Sequence, residues 1–396
     1  MKIIYALQEP PETVAKSIFL VGPTPRTETG GESWRAAMID ALDRAGYDGM
    51  VYVPEPGDGS WDHDYTTQTR WEQRFLHAAD LIIAWVPRDL KTMPAFSTNV
   101  EFGAFLASGK LLYGRPDGAP KTRYLDTLYE QQQGLTPFSS LDELAQAAVA
   151  KFAEPAPRTG GERNVPIDVW NAPQFQSWYR AQREAGNRLD DAEVLWRYRV
   201  GPNRQFLFCF VVWVKVWIES EKRHKENEVI FSRTDISTIV AYYRQDEMWG
   251  DDDTYFTGRT HILLIKEFRS PARTADGFVH ELPGGSSFNV AEDPWEVAAA
   301  ELEEETGLKI PSGRFVALRP RQMVSTLLTH MAHVYTVELR REEFQQAVET
   351  AQSGRSFGAG NTERTYVEVR SLNDIIDQRL LDWANIGMIM EALYEA

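Results

Sequence analysis

Apolar residues in the first 150 positions fall into short unbroken runs at 18–21, 50–53, 81–86 and 111–113. Between them lie stretches, 33–44, 70–79 and 99–108, whose apolar positions recur every three or four residues. Short continuous runs read as strands buried on both faces, and the longer period reads as amphipathic helices. Their alternation predicts βαβ units and a parallel sheet covered on both sides. The pattern breaks at 153–166, where Pro155, Pro157, Gly160 and Gly161 predict a linker. Beyond it, 174–196 reads as helix and 206–218 as strand; strands follow at 228–244 and 261–268, and then near 315–318, 333–338 and 365–369, with helices closing the chain from Leu372. Trp213 and Trp217 share a face if 206–218 is extended, where they either stack a ligand or pack in a core.

At 396 residues the chain exceeds one typical core. We therefore divide it into a domain at 1–152, a linker and helical connector at 153–200, and a domain at 201–396. The formal net charge of −16 argues against nucleic acid or an anionic membrane as partner and leaves small phosphorylated ligands carried in with a metal. A single cysteine, Cys209, excludes an intramolecular disulfide. No apolar stretch is long enough to span a bilayer, and Glu9, Pro10 and Pro11 follow the N-terminus too soon for a signal peptide. We expect a soluble cytoplasmic protein.

The most informative segment runs from 284 to 308. Asp293 is a candidate N-cap, Pro294 suits the first helical position, Glu296 completes a capping box and Gly307 follows the last turn. On that helix Glu301, Glu304 and Glu305 share about one third of the circumference, with Glu292 entering from the preceding loop. Carboxylates so close repel unless a cation sits among them, and hard oxygen donors favour Mg²⁺ or Mn²⁺. The segment resembles the Nudix box: Glu292, Glu301, Leu302, Glu304, Glu305, Gly307 and Leu308 fall in register. Gly285 lies one residue too far upstream, and Ala300 stands where the family has an arginine that orients a glutamate. Residues 264–271 and 281–285 resemble the ADP-ribose and nucleotide-sugar pyrophosphatase branch. The resemblance implies an α/β/α sandwich with a mixed sheet, metal ligands Glu292, Glu301, Glu304 and Glu305, and a homodimer or higher homo-oligomer built through residues 206–244. By position Glu363 is either a base toward water or a surface carboxylate, and Arg269 either meets a phosphate or forms an ion pair.

The first domain holds a second constellation, Asp80 to Asp89 and Thr98 to Ala104, with Gly22 and Pro23 after the first run and Lys110 after the last helix. It resembles the nucleoside 2-deoxyribosyltransferase-like family over about residues 15 to 150, which implies a Rossmann-like parallel sheet. The resemblance makes Glu101 the nucleophile at the anomeric carbon and Asp80 the group that binds and protonates the base. Ser97, Thr98, Asn99 and Gly22 are candidates for the phosphate or sugar, and His63, Tyr65 and Trp71 for the pocket wall. The spacing Thr98-x-x-Glu101 also reads as a capping box, in which Glu101 starts a helix and its dipole keeps the carboxylate ionised. The sequence thus points to a bifunctional enzyme of nucleotide turnover: N-glycosidic cleavage or transfer by the first domain and metal-dependent hydrolysis of an ADP-ribose-like diphosphate by the second. A nucleotide-sensing protein with an inactive second domain is the alternative.

Overall fold

The computed structural model describes every residue except 26–31, 61–63, 153–154, 202–203, 205, 246–258, 287–292, 359–362 and 396. The chain divides into two compact units, Met1–Ser232 and Arg233–Ala396.

The first unit is built on five strands, β1 (Lys2–Tyr5), β2 (Ser17–Val21), β3 (Met50–Val53), β4 (Leu81–Trp85) and β5 (Leu111–Gly114). They lie in the order β1-β3-β2-β4-β5, each neighbouring pair parallel. Helices α2 (Tyr65–Ala78), α3 (Phe96–Phe105) and α4 (Arg123–Gln133) close one face over Phe19, Tyr52, Phe75, Phe102 and Tyr113. Helices α1 (Trp34–Arg44) and α5 (Leu141–Ala150) close the other over Ile18, Leu20, Met38, Val51 and Leu144. Burial on both faces is why the strand runs are apolar without alternation. Ser33, Asp64 and Ser140 each accept from a backbone N–H two or three residues on, which fixes where α1, α2 and α5 begin.

The Pro/Gly segment is no free linker. Its Arg158 is fully buried and donates to both carboxylate oxygens of Asp80 at 2.7 Å. Arg158 also donates to the carbonyl of Val165 at 2.5 Å, and Thr159 pairs with Thr13. Asp80 accepts in addition from the Ser17 N–H at 2.7 Å and the Ile167 N–H at 2.6 Å. Residues 158–167 are therefore bolted to the sheet's amino edge.

The helix expected at 174–196 ends early, as α6 (Pro173–Glu184). Gly186, at φ +77°, turns the chain, and β6 (Arg188–Val200) turns Ala192 and Val194 inward two residues apart, with Leu189 brought to the same face by a β-bulge after it, a strand pattern that wins over the helical reading. It pairs with β7 (Phe206–Ile218), which pairs with β8 (Arg223–Arg233). Because the compact boundary follows Ser232, β6 and β7 belong to the first unit rather than opening the second domain. Val212, Val214 and Val216 face its core; Trp213 and Trp217 take the opposite, half-buried face, and the Trp213 indole N–H donates to the Glu226 carbonyl.

The second unit holds β9 (Ile236–Arg244), β10 (Thr260–Phe268), β11 (Phe278–Glu281), β12 (Met331–Glu338) and β13 (Thr365–Ser371). The main path runs β12-β9-β10-β13, with β12 and β9 parallel and the other pairs antiparallel. Helices α7 (Pro294–Thr306) and α8 (Arg341–Ser353) cover one face, and α9 (Leu372–Asp377) and α10 (Trp383–Glu395) the other. Asp293, Pro294 and Gly307 bound α7 at the positions the sequence predicts. No described helix is long and apolar enough to cross a membrane.

Removing one partner of the buried Asp80–Arg158 pair leaves an uncompensated charge. We expect Arg158→Met to destabilise the first unit by about 3–5 kcal/mol in urea unfolding followed by tryptophan fluorescence, and Asp80→Asn/Arg158→Met to recover much of that loss. Equal stability of parent and single variant would show that the pair is dispensable.

Candidate functional site

Open parallel sheets bind ligands beyond the carboxyl ends of their strands, where the following loops converge. In the first unit that edge is formed by Gly22 after β2, Glu55 after β3 and the turn from β4 into α3. A Cβ on Gly22 would meet the Trp85 carbonyl at 2.3 Å and the Trp34 ring at 2.4 Å, so only glycine fits. Arg35, buried in the first turn of α1, donates to the Gly22 carbonyl at 2.6 Å, to Glu55 at 2.5 Å and to the Thr24 hydroxyl at 3.1 Å. The Ser33 hydroxyl donates to the same Glu55 oxygen at 3.0 Å. These bonds lock the loops after β2 and β3 around one guanidinium.

Glu101 of α3 and Glu72 of α2 lie within electrostatic reach of that guanidinium and of each other. Burial, with Glu72's like charge adding to it, lifts the Glu101 carboxyl to about 7, while Arg35 pulls the other way. Burial also raises Glu72, against a hydrogen bond from Gln68 at 2.9 Å and the Arg35 charge. The capping box is not formed. Helix α3 begins at Phe96 behind Ala95 in left-handed conformation, without a side-chain cap, so Glu101 sits past the first turn. Desolvation there outweighs the helix dipole that was expected to keep it ionised. Thr98 is fully buried, and its Oγ1 has no hydrogen-bond partner among the described residues. Ser97 and Asn99 are exposed, and the Asn99 side-chain oxygen accepts from Arg88.

Asp80 is not brought to this site. It precedes β4 and so lies at the opposite edge, roughly 16 Å away along five strand residues. Its carboxylate is occupied by Arg158, Ser17 and Ile167. Of the proposed wall residues, Trp71 is core, its indole N–H donating to the Gln8 carbonyl, Tyr65 is exposed, and His63 lies outside the described residues. The sequence reading missed Arg35, Glu55 and Glu72. The signal was available in part: Glu55 directly follows a buried strand's carboxyl end, and Arg35 interrupts an apolar helix face.

The family described as Nucleoside 2-deoxyribosyltransferase like matches residues 15–119. The first unit carries a nucleoside 2-deoxyribosyltransferase-like domain. That span contains Gly22, Arg35, Glu55, Glu72 and Glu101. The match covers about a quarter of the chain and says nothing of the second unit. No curated protein matches the chain.

The second unit gathers carboxylates where α7 meets Gly284 and Gly285. A Cβ on Gly285 would meet Glu301 Oε1 at 2.1 Å, and the buried Glu305 accepts from the Gly284 N–H at 3.0 Å. Burial raises Glu305 to about 8, opposed by that hydrogen bond, with Glu301 and Glu267 adding repulsion. Burial also raises Glu301, helped by Glu304 and Glu363. Glu363 thus stands within reach of the cluster, while Glu304 is exposed. Arg269 pairs with Glu267 at 2.8 Å and Glu281 at 2.9 Å and acts electrostatically on Glu305. Ala300 is exposed on α7, so the guanidinium nearest these acids comes from β10's end rather than from the helix. Glu292 lies outside the described residues, and among those described no three acidic, histidine or cysteine side chains gather as a metal-holding group.

The geometry around Glu101 fixes signs. Removing the like charge by Glu72→Gln should lower the Glu101 titration midpoint from about 7, and Arg35→Met should raise it. Carboxyl-selective NMR or infrared titration reads both. A midpoint unmoved by either substitution would separate the three groups.

Proposed function

We propose that the first unit breaks the N-glycosidic bond of a nucleoside or nucleotide and passes the sugar to water or to a second base. The observation that carries this reading is the Glu72–Glu101 pair beside Arg35 at the carboxyl edge of the sheet, inside the matched span. Two carboxyls that repel each other in a partly buried site are harder to ionise together than singly. Such a pair suits glycosyl transfer. The Glu101 carboxylate attacks the anomeric carbon as the C–N bond breaks, and Glu72 gives its proton to the departing base. Water or another base, deprotonated by Glu72, then displaces Glu101 and releases the sugar. The Arg35 charge limits how far burial raises both carboxyls.

Free base released from a panel of nucleosides and nucleotides, resolved by mass, tests this. Glu101→Gln is expected to lower release by at least ~10³-fold, and Glu72→Gln by ~10²–10⁴-fold. Parent kcat/KM should rise with pH as Glu101 loses its proton near 7. A parent that releases no base from any substrate, or a folded Glu101→Gln that releases it undiminished, removes the assignment.

A second reading is favoured by the Glu301–Glu305 cluster at Gly284 and Gly285. We propose that the second unit is a Nudix-type hydrolase of an ADP-ribose-like diphosphate, with Glu301, Glu304 and Glu305 holding Mg²⁺ or Mn²⁺ and Glu363 within reach of the attacking water. A bound cation would offset charge on the phosphoryl oxygens. Joined in one chain, the two activities would serve nucleotide turnover. Hydrolysis should vanish with EDTA, return with Mg²⁺, and drop by orders of magnitude in Glu305→Gln. Ala300→Arg should change little, because that position faces solvent and Arg269 already reaches the acids. Metal-independent turnover would point instead to another site, and metal-dependent nucleotide binding without turnover to a sensor.

A further inference from the structure

One turn before Glu72 on α2 stands Gln68, a half-buried amide with no part in the cleavage steps. Its Nε2 donates to Glu72 Oε1 at 2.9 Å and to the Pro54 carbonyl at 3.5 Å. With two acceptors in reach, the amide meets them through its nitrogen; turned over, its oxygen would oppose a carboxylate and a carbonyl. Pro54 follows β3 and precedes Glu55, the carboxylate that holds Arg35 at 2.5 Å. The same two-residue stretch thus anchors both groups that act on Glu72, the amide through a hydrogen bond and the guanidinium through its charge. Gln68 is uncharged, so what it supplies is direction: an N–H aimed at one oxygen of the carboxyl.

Direction matters to a general acid. A protonated carboxyl carries its proton on one oxygen and accepts better through the other, its carbonyl oxygen. A donor fixed at Oε1 therefore makes Oε1 the carbonyl oxygen and places the proton on Oε2. We propose that Gln68 is a positioning residue for glycosidic cleavage, holding Glu72 so that its proton passes from Oε2 to the departing base. This role rests on the assignment of Glu72 as the acid. As the C1′–N bond breaks, its electron pair stays with the base nitrogen, that nitrogen takes the Oε2 proton, and a Glu101 oxygen bonds to C1′. Glu72 is left anionic, the form that the Gln68 N–H stabilises. The competing account is local: Gln68 and Glu72 stand four apart on one helix, where such a bond only steadies the helix.

Base release by the full chain decides between them. Gln68→Met keeps the length of the side chain and removes the donor. We expect kcat to fall by about 10- to 100-fold with KM near the parent's, because the acid is misplaced while binding is not. In Glu72→Gln the same substitution should cost nothing further, since Gln68 acts through Glu72. The base of 7-methylguanosine or its 2′-deoxy form is already cationic and departs without a proton. On these nucleosides neither variant should lose rate, whereas Glu101→Gln still should. Removing the donor also makes Glu72 harder to ionise. With Arg35 and Glu101 the charges that act on it, its titration midpoint should rise in Gln68→Met and rise further in Gln68→Glu. Four results overturn the role while leaving Glu101 as nucleophile: a folded Gln68→Met with the parent's kcat, a loss that adds to that of Glu72→Gln, an equal loss on the cationic nucleosides, or an unmoved Glu72 midpoint. A parent that releases no base from any substrate, neutral or cationic, removes the glycosidic reading itself and this role with it.

Discussion

The buried ion pair between Asp80 and Arg158 holds the first unit together. A carboxylate and a guanidinium with no exposed side-chain surface are tolerable only when most of their remaining lone pairs and N–H groups find partners. Here Ser17, Ile167, Val165 and Ala15 supply all but the Arg158 Nε–H, which has no partner among the described residues. The pair joins the start of two central strands to the segment that leads into α6 and the long hairpin, so sheet and hairpin share one compact unit. It also settles where chemistry does not occur. A carboxylate saturated by five donors at the sheet's amino edge has no free lone pair to offer a substrate.

Both candidate centres use the opposite device, carboxylates partly withdrawn from water and left short of donors. Glu101 beside Glu72 and Glu305 beside Glu301 are raised first by burial and then by like charge, each moderated by one arginine, Arg35 or Arg269. Groups poised this way titrate where a cell works, which a solvated surface glutamate does not. A glycine lies close by in each unit: a Cβ on Gly22 would strike the Trp85 carbonyl and the Trp34 ring, and one on Gly285 would strike the carboxylate of Glu301.

Much of this was legible in the chain. The three interior strands of the parallel sheet and the edge strand β5 stand out as unbroken apolar runs because both faces are buried, and α7 is bounded by its own caps. Glu101 was named through a family resemblance and the α7 acids through their helical spacing. What misled was local signal without tertiary context. Pro and Gly at 155–161 read as a linker, yet Arg158 in their midst is wholly buried. The Thr98-x-x-Glu101 spacing read as a cap, yet the helix starts earlier. Residues 188–196 read as the tail of a helix, yet Gly186 turns the chain into a strand.

Sequence alone determined which segments could be strand or helix, because periodicity is a property of neighbours along the chain, and it determined which residue types could do acid, nucleophile or cation chemistry. Tertiary structure alone decided which of those residues meet. Asp80 and Glu101 are 21 positions apart and end at opposite edges of one sheet, whereas Arg35, Glu72 and Glu101, spread over three helices, converge. Strand direction makes that choice. A residue before a parallel strand and one after it are separated by the strand's full length, while the loops that follow different strands all open onto the same edge.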